Sequence, residues 1–279
     1  MEAIIINISC RKYSQDSLDE RIESKYQGAV LGDEGCIYHC LNETVFNWTK
    51  KCKEQNKSVR LLTPIVPERY MDELVKRIEE LKNIVPLKVT FNDFGLLHRC
   101  KALIENEEII PVLGRILTRS MIDCNWSKRL LSNEQDKVVE GLLDYSYMDN
   151  EKIRILDDYH IKEIEVNFHP ERIEELKKVI KLPITSYPNH LLSVGRVCFS
   201  ARYQQLKLPE CVNCKGCRRK LEFSVNKKWS KRKMCYDEPD KEFIQYMKGL
   251  YVQGNIVYRC MDDLCAEPDS NVISEIILG

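Results

Sequence analysis

No stretch of this 279-residue chain is apolar over enough consecutive residues to cross a bilayer. Neither charge sign prevails: 43 Lys and Arg stand against 43 Asp and Glu, so no whole-molecule field points to nucleic acid or a membrane surface. The opening Met1-Glu2-Ala3 lacks a basic region ahead of its short apolar run Ile4-Ile5-Ile6, which argues against a secretory leader and makes the cytoplasm the expected compartment. Internal repeats and low-complexity tracts are missing, and no Gly/Ser linker divides the chain. Hydrolytic and phosphate-binding signatures are missing too: there is no G-x-S-x-G, no H-E-x-x-H and no complete Gly-rich phosphate loop.

What is present is a rhythm of short β-branched runs: Ala3 to Ile8, Gly28 to Leu31, Ser58 to Thr63, Leu87 to Phe91, Ile109 to Leu113, Glu163 to Phe168 and Leu182 to Ser186. Amphipathic stretches separate them, which predicts a parallel sheet with crossover helices. The clearest helix is Pro67 to Ile84, with proline at its start, apolar Met71, Leu74, Val75, Ile78 and Leu81 on one face and charges on the other. His169 to Ile180 repeats the design, with Glu171 and Glu174-Glu175 early and Lys177-Lys178 late. Together these units predict an α/β fold: a (β/α)8-like barrel of TIM type, incomplete or modified, over residues 1–190. Beyond about Tyr187 the rhythm stops. Residues 191–279 are expected to form a cysteine-rich, cluster-binding lobe packed on the barrel, with a helix over Asp240 to Leu250 and a strand over Gly254 to Tyr258. Within Glu163 to Phe168, Glu165 and Asn167 alternate with Ile164 and Val166, so one face of that strand turns polar groups toward solvent or the barrel mouth.

Thirteen cysteines is a high and odd count, which in a reducing compartment favours metal ligation over disulfides. The densest group is Cys211-Val-Asn-Cys214-Lys-Gly-Cys217, a C-x-x-C-x-x-C run from which several thiolates can converge on one centre, with Gly216 easing the backbone path. Cys198 precedes it by twelve intervening residues. These residues alone leave an iron–sulfur cluster and a four-thiolate zinc site level. Cys10, Cys40, Cys52, Cys100, Cys124 and Cys235 lie singly and read as small buried apolar residues. Cys260 and Cys265 are close enough to pair.

Five segments, Asn92 to Gly95, Leu113 to Leu117, Leu31 to Cys36, Gly195 to Arg202 and Asp263 to Cys265, together resemble the collagenase-like peptidase family (peptidase family U thirty-two). Asn92-Asp93-Phe94-Gly95 is similar to the family's N-D-x-G segment, and Leu113-Gly114-Arg115-Ile116-Leu117 to the L-G-R-x-L segment that follows it. Leu31-Gly32-Asp33-Glu34-Gly35-Cys36 resembles the L-G-E-T-V-C stretch of the branch that supports oxygen-independent ubiquinone hydroxylation. Gly195-Arg196-Val197-Cys198-Phe199-Ser200-Ala201-Arg202 resembles that branch's S-A-R-C-F-T-A-R. The chain departs from the branch after Cys211, where the position of its fourth cysteine holds Lys215. The wider family's D-L-C segment is matched by Asp263-Leu264-Cys265.

The resemblance implies an iron–sulfur protein, with a 4Fe–4S cluster on Cys36, Cys198, Cys211 and Cys217, Cys214 competing for the fourth place and Cys265 in second rank. It further implies a redox subunit of an oxygen-independent hydroxylase, a homologous partner forming a heterodimer, and a small aromatic or quinone-like substrate. No general acid or base is assigned. Two alternatives stay open: a peptidase of the same family, and a subunit that modifies RNA bases. For the second, Trp126 with Arg129 and the run Lys227 to Lys233 around Trp229 form candidate basic, aromatic patches, although the zero net charge favours a solvated surface or a partner-binding rim. The five histidines, among them His39, His98, His169 and His190, are scattered and read as structural.

Overall fold

The computed structural model describes residues 3–8, 27–120, 124, 127, 131–143, 150–187, 189–195, 197–203, 221–222, 249–259 and 272–275. The β-branched runs form strands β1 Ala3–Ile8, β2 Gly28–Gly32, β3 Ser58–Leu62, β4 Leu87–Phe91, β5 Ile110–Leu113, β6 Glu163–Asn167 and β7 Ile184–Tyr187. Five more follow: β8 His190–Val194, β9 Leu221–Glu222, β10 Leu250–Gln253, β11 Ile256–Arg259 and β12 Val272–Glu275. Helices fill the crossovers: α1 Ile37–Leu41, α2 Glu43–Glu54, α3 Met71–Lys82, α4 Phe94–Arg99, α5 Lys101–Glu105 and α6 Arg115–Thr118. They continue with α7 Asp136–Leu143, α8 Asn150–Asp158, α9 Pro170–Val179 and α10 Phe199–Tyr203.

Strands β2 to β7 pair in sequence order, each parallel to the next, which is what helical crossovers require. β1 adds a parallel strand outside β2, and β12 pairs antiparallel with β1. One face of this sheet is apolar. Val59, Leu61, Leu87, Val89, Phe91, Ile164 and Val166 pack there with Met71, Leu74, Ile78 and Leu81 of α3, the helical spacing legible in the sequence.

The opposite face is concave. Flat, β3 and β6 would lie three strand spacings apart, about 14 Å, yet Arg60 of β3 bonds both Glu163 and Glu165 of β6. Val30 of β2, Leu62 of β3 and Tyr187 of β7 also cluster, although β2 and β7 are far apart in strand order. Only a curled sheet permits both contacts, and it turns that face into an interior. The architecture is mixed α/β with a curled parallel sheet, the barrel-like arrangement expected from the sequence.

A second sheet of order β8-β11-β10-β9 is antiparallel and buries Leu191, Tyr251, Ile256 and Tyr258. Two boundaries differ from expectation. Leu250 opens β10 instead of ending a helix, following Gly249 at φ +75°, and residues 240–248 lie outside the described residues. Gly254, read as strand, has φ +67° and forms a two-residue turn with Asn255 between β10 and β11, at the position where tight hairpins demand glycine. β12, within the segment 191–279 assigned to the lobe, joins the larger sheet.

Candidate functional site

The carboxyl ends of parallel strands are where barrel-like folds build sites, because the following loops converge there. β2 ends at Gly32 with φ +85°, and a Cβ at that position would lie 2.6 Å from the Leu62 carbonyl oxygen. Only glycine fits, and the turn it makes carries Asp33 and Glu34 inward, both buried. Asp33 Oδ1 accepts from the Gly35 N–H at 2.6 Å, while its Oδ2 pairs with His39 Nδ1 at 3.1 Å.

Glu34 meets Arg115, which follows β5, in a two-pronged ion pair: Arg115 Nε donates to Oε2 at 2.9 Å and Nη2 to Oε1. Tyr258 of β11 donates its hydroxyl to Glu34 Oε1 at 2.9 Å. The guanidinium also lies 4.1 Å from the centre of the Tyr187 ring and donates through Nη1 to Asn167 Oδ1 at 3.2 Å and to the Asn189 carbonyl. Asn167 in turn exchanges two bonds with the Leu191 backbone, at 2.9 and 3.0 Å. These contacts lock the small sheet across the carboxyl end of the large one.

The N-D-x-G segment is structural here. Asn92 donates to the Thr63 carbonyl and accepts from the Ile116 N–H, both at 2.9 Å, which ties the loops after β3, β4 and β5 together. Gly114 makes room for it, since a Cβ there would lie 2.2 Å from Asn92 Oδ1. Asp93 caps α4 through the Leu96 N–H at 2.9 Å and holds the β3 loop through the Val66 N–H at 3.2 Å.

Deeper inside, Arg60 is shared between two glutamates, Nη1 to Glu165 Oε1 at 2.6 Å and Nη2 to Glu163 Oε1. Lys88 joins Glu163 Oε2 at 2.8 Å, and Thr90 donates to Glu165 Oε1 at 2.7 Å. Burial opposes ionisation of both acids, but Arg60 and Lys88 hold Glu163 below the usual glutamate range. Glu165, fully enclosed and beside the Glu163 charge, is pushed above it despite Arg60 and Thr90. The polar face read on β6 therefore points into the concave interior of the curled sheet, not to solvent.

Of the cysteines singled out in the sequence, Cys36 and Cys198 lie within the described residues, and Cys211, Cys214, Cys217 and Cys265 lie outside them. So do Trp126, Arg129 and the run Lys227 to Lys233. Cys36 immediately precedes α1, and Cys198 immediately precedes α10. Both segments meet the same β10–β11 turn. A Cβ on Gly35 would come 2.9 Å from Asn255 Oδ1, and the Phe199 N–H donates to the Gly254 carbonyl at 2.8 Å. Cys198 Sγ accepts from the Ala201 N–H at 3.4 Å. Both cysteines are part-exposed, whereas Cys52 and Cys100 are buried in the apolar layer and pushed by that burial up to about 11 and about 12. Cys40, also buried, directs its thiol at the Leu62 carbonyl, 3.3 Å away. Among the described residues no group of three or more His, Cys, Asp and Glu is placed to hold a metal ion.

No family model, curated protein or solved structure matches this chain. Geometry therefore carries the site. Among the described residues no helix is long and apolar enough to cross a membrane. Sequence reading missed Arg60, Tyr187 and Tyr258, and it quoted Glu34 and Arg115 inside motifs without seeing them as partners. The available signal was Arg60 in the middle of the otherwise apolar strand Ser58–Leu62, since a charge in a buried parallel strand implies an opposite charge facing it.

Proposed function

We propose that this chain is an iron–sulfur redox subunit supporting an oxygen-independent hydroxylation, built on a TIM-type (β/α)8 barrel in which β12 takes the eighth position. The observation that carries the reading is the meeting of the Cys36 and Cys198 segments at one hairpin turn, because two separate motifs mark these two cysteines. Both residues suit ligation: each is part-exposed, and the Ala201 N–H on Cys198 Sγ is the kind of bond that favours a thiolate and tunes a cluster. Cys211 and Cys217, with Cys214 as the competitor, complete a four-thiolate set. Such a cluster supplies electron transfer when bound.

The chain's own residues hold the ligand segments. The Glu34–Arg115–Tyr258 lock fixes the loop that carries Cys36 against the small sheet, and the Phe199 and Ser200 N–H groups fix the segment of Cys198 to the Gly254 carbonyl. A homologous partner and a small aromatic or quinone-like substrate complete the reading, with the cytoplasm as its compartment. Anaerobic purification with visible absorption and iron and sulfide analysis tests it. A brown protein with iron and sulfide in equal amounts is expected, and a colourless protein holding stoichiometric zinc overturns it. Replacing Cys36, Cys198, Cys211, Cys214 and Cys217 singly by Ala then identifies the ligands, since four variants lose the cluster and one keeps it.

A further inference from the structure

We infer that the Gly254–Asn255 turn is a template that sets the distance between Cys36 and Cys198, with Asn255 and Ser200 as positioning residues. The inference rests on the reading that these two thiols act on one centre.

The bonds converge on two residues. From the Cys198 side, the Phe199 and Ser200 N–H groups donate to the Gly254 carbonyl at 2.8 and 3.3 Å, and Ser200 Oγ accepts from the Gly254 N–H at 3.0 Å. Just upstream, Gly195 exchanges bonds with Asn255: its N–H donates to the Asn255 carbonyl at 2.7 Å and its own carbonyl accepts from Asn255 Nδ2 at 3.0 Å. Thus five hydrogen bonds hold the strand-to-helix segment 195–200 onto the turn. Ser200 is fully buried.

From the Cys36 side the approach is by shape. Gly35 has no room for a side chain, since its Cβ would stand 2.9 Å from both Asn255 Oδ1 and Ile256 Cδ1. Asn255 Oδ1 is buried there with no hydrogen-bond partner among the described residues. A buried acceptor left unmade is costly, so its place against Gly35 asks for a structural reason. One turn therefore grips the segment of one cysteine by hydrogen bonds and abuts the other by contact, so a displaced turn changes their separation.

The test is bridging of the two thiols by dibromobimane in the full-length protein, anaerobically and after a chelator has stripped any bound metal, mapped by peptide mass, with circular dichroism against the untreated protein as the folding control. The wild type is expected to give the Cys36–Cys198 bridge. Asn255→Ala should form it about five-fold more slowly, the weight of one hydrogen bond, with an unchanged dichroism spectrum. Asn255→Ala bridging at the wild-type rate overturns the template and leaves the iron–sulfur reading intact. A wild type that gives no bridge overturns both. A bridged protein that purifies colourless with zinc keeps the template and removes the iron. Should Asn255→Ala fail to fold, Ser200→Ala, which deletes the acceptor for the Gly254 N–H, is read against the same outcomes.

Discussion

Arg115→Met removes the centre of the lock between the two sheets. Arg115 and Glu34 are each only 4% exposed, so the substitution strands a carboxylate that keeps, among the described residues, a single hydrogen bond from Tyr258. Taking one partner from a buried ion pair costs about 3–5 kcal/mol, most of it the penalty on the charge left behind. With roughly 2–4 °C of melting temperature per kcal/mol for a chain of this class, the expected fall is roughly 6–20 °C. Methionine fills much of the vacated length, so cavity formation adds little. The decisive comparison is the double variant Glu34→Gln with Arg115→Met, in which no charge is stranded and more than half of the loss should return. Far-ultraviolet circular dichroism during thermal and urea unfolding reads all three proteins. A single variant that loses less than about 1 kcal/mol, or a double variant no better than the single, refutes the stranded-charge explanation.

Two further outcomes follow from the interior and the cysteines. Glu163 is held below its unfolded value of about 4.3, so its contribution is present above that pH and is lost as pH falls through the folded value. The urea midpoint of Glu163→Gln should therefore approach the wild type in acid. Glu165 is raised, so its contribution is greatest in acid and declines as pH climbs from about 4.3 through its higher folded value. Glu165→Gln should gain on the wild type over that interval, and two variants with the same pH trend would contradict the assignment. For the thiols, Cys52 and Cys100 at about 11 and about 12 should resist iodoacetamide near neutral pH while Cys36 and Cys198 are alkylated once a chelator has stripped any bound metal. Mass mapping showing Cys52 labelled as fast as Cys36 would count against the burial argument.

Period and turn chemistry made most of the parallel sheet legible. Leu87 to Phe91 coincides with β4, and the apolar positions of α3 are those that pack. What stayed hidden was long-range. Arg60 lies in an otherwise apolar strand, and its acids are 103 and 105 residues away, a distance no local pattern spans. Arg115 and Glu34 stood in quoted motifs but their pairing, 81 residues apart, needs the curl of the sheet. Leu250 and Gly254 were misplaced because a hairpin of four-residue strands leaves little alternation to read, and the left-handed turn at Gly254 was the stronger signal. On the site, the resemblance of two segments to family motifs pointed to Cys36 and Cys198, while the turn that brings their segments together is built by Asn255 and Ser200, which no chemical motif flags.

The pairing of β1 with β12 ties residues near position 3 to residues near position 275. During synthesis the outer edge of β1 waits for nearly the whole chain to emerge before its antiparallel neighbour arrives. At ribosomal speeds of about 5–20 residues per second, that delay is roughly 13–50 s. For this period the growing sheet presents an Ile-rich strand with unpaired amides and carbonyls, the kind of edge that recruits foreign strands. Production in the cell should accordingly be more sensitive to translation speed and chaperone supply than a parallel core with short-range crossovers would suggest.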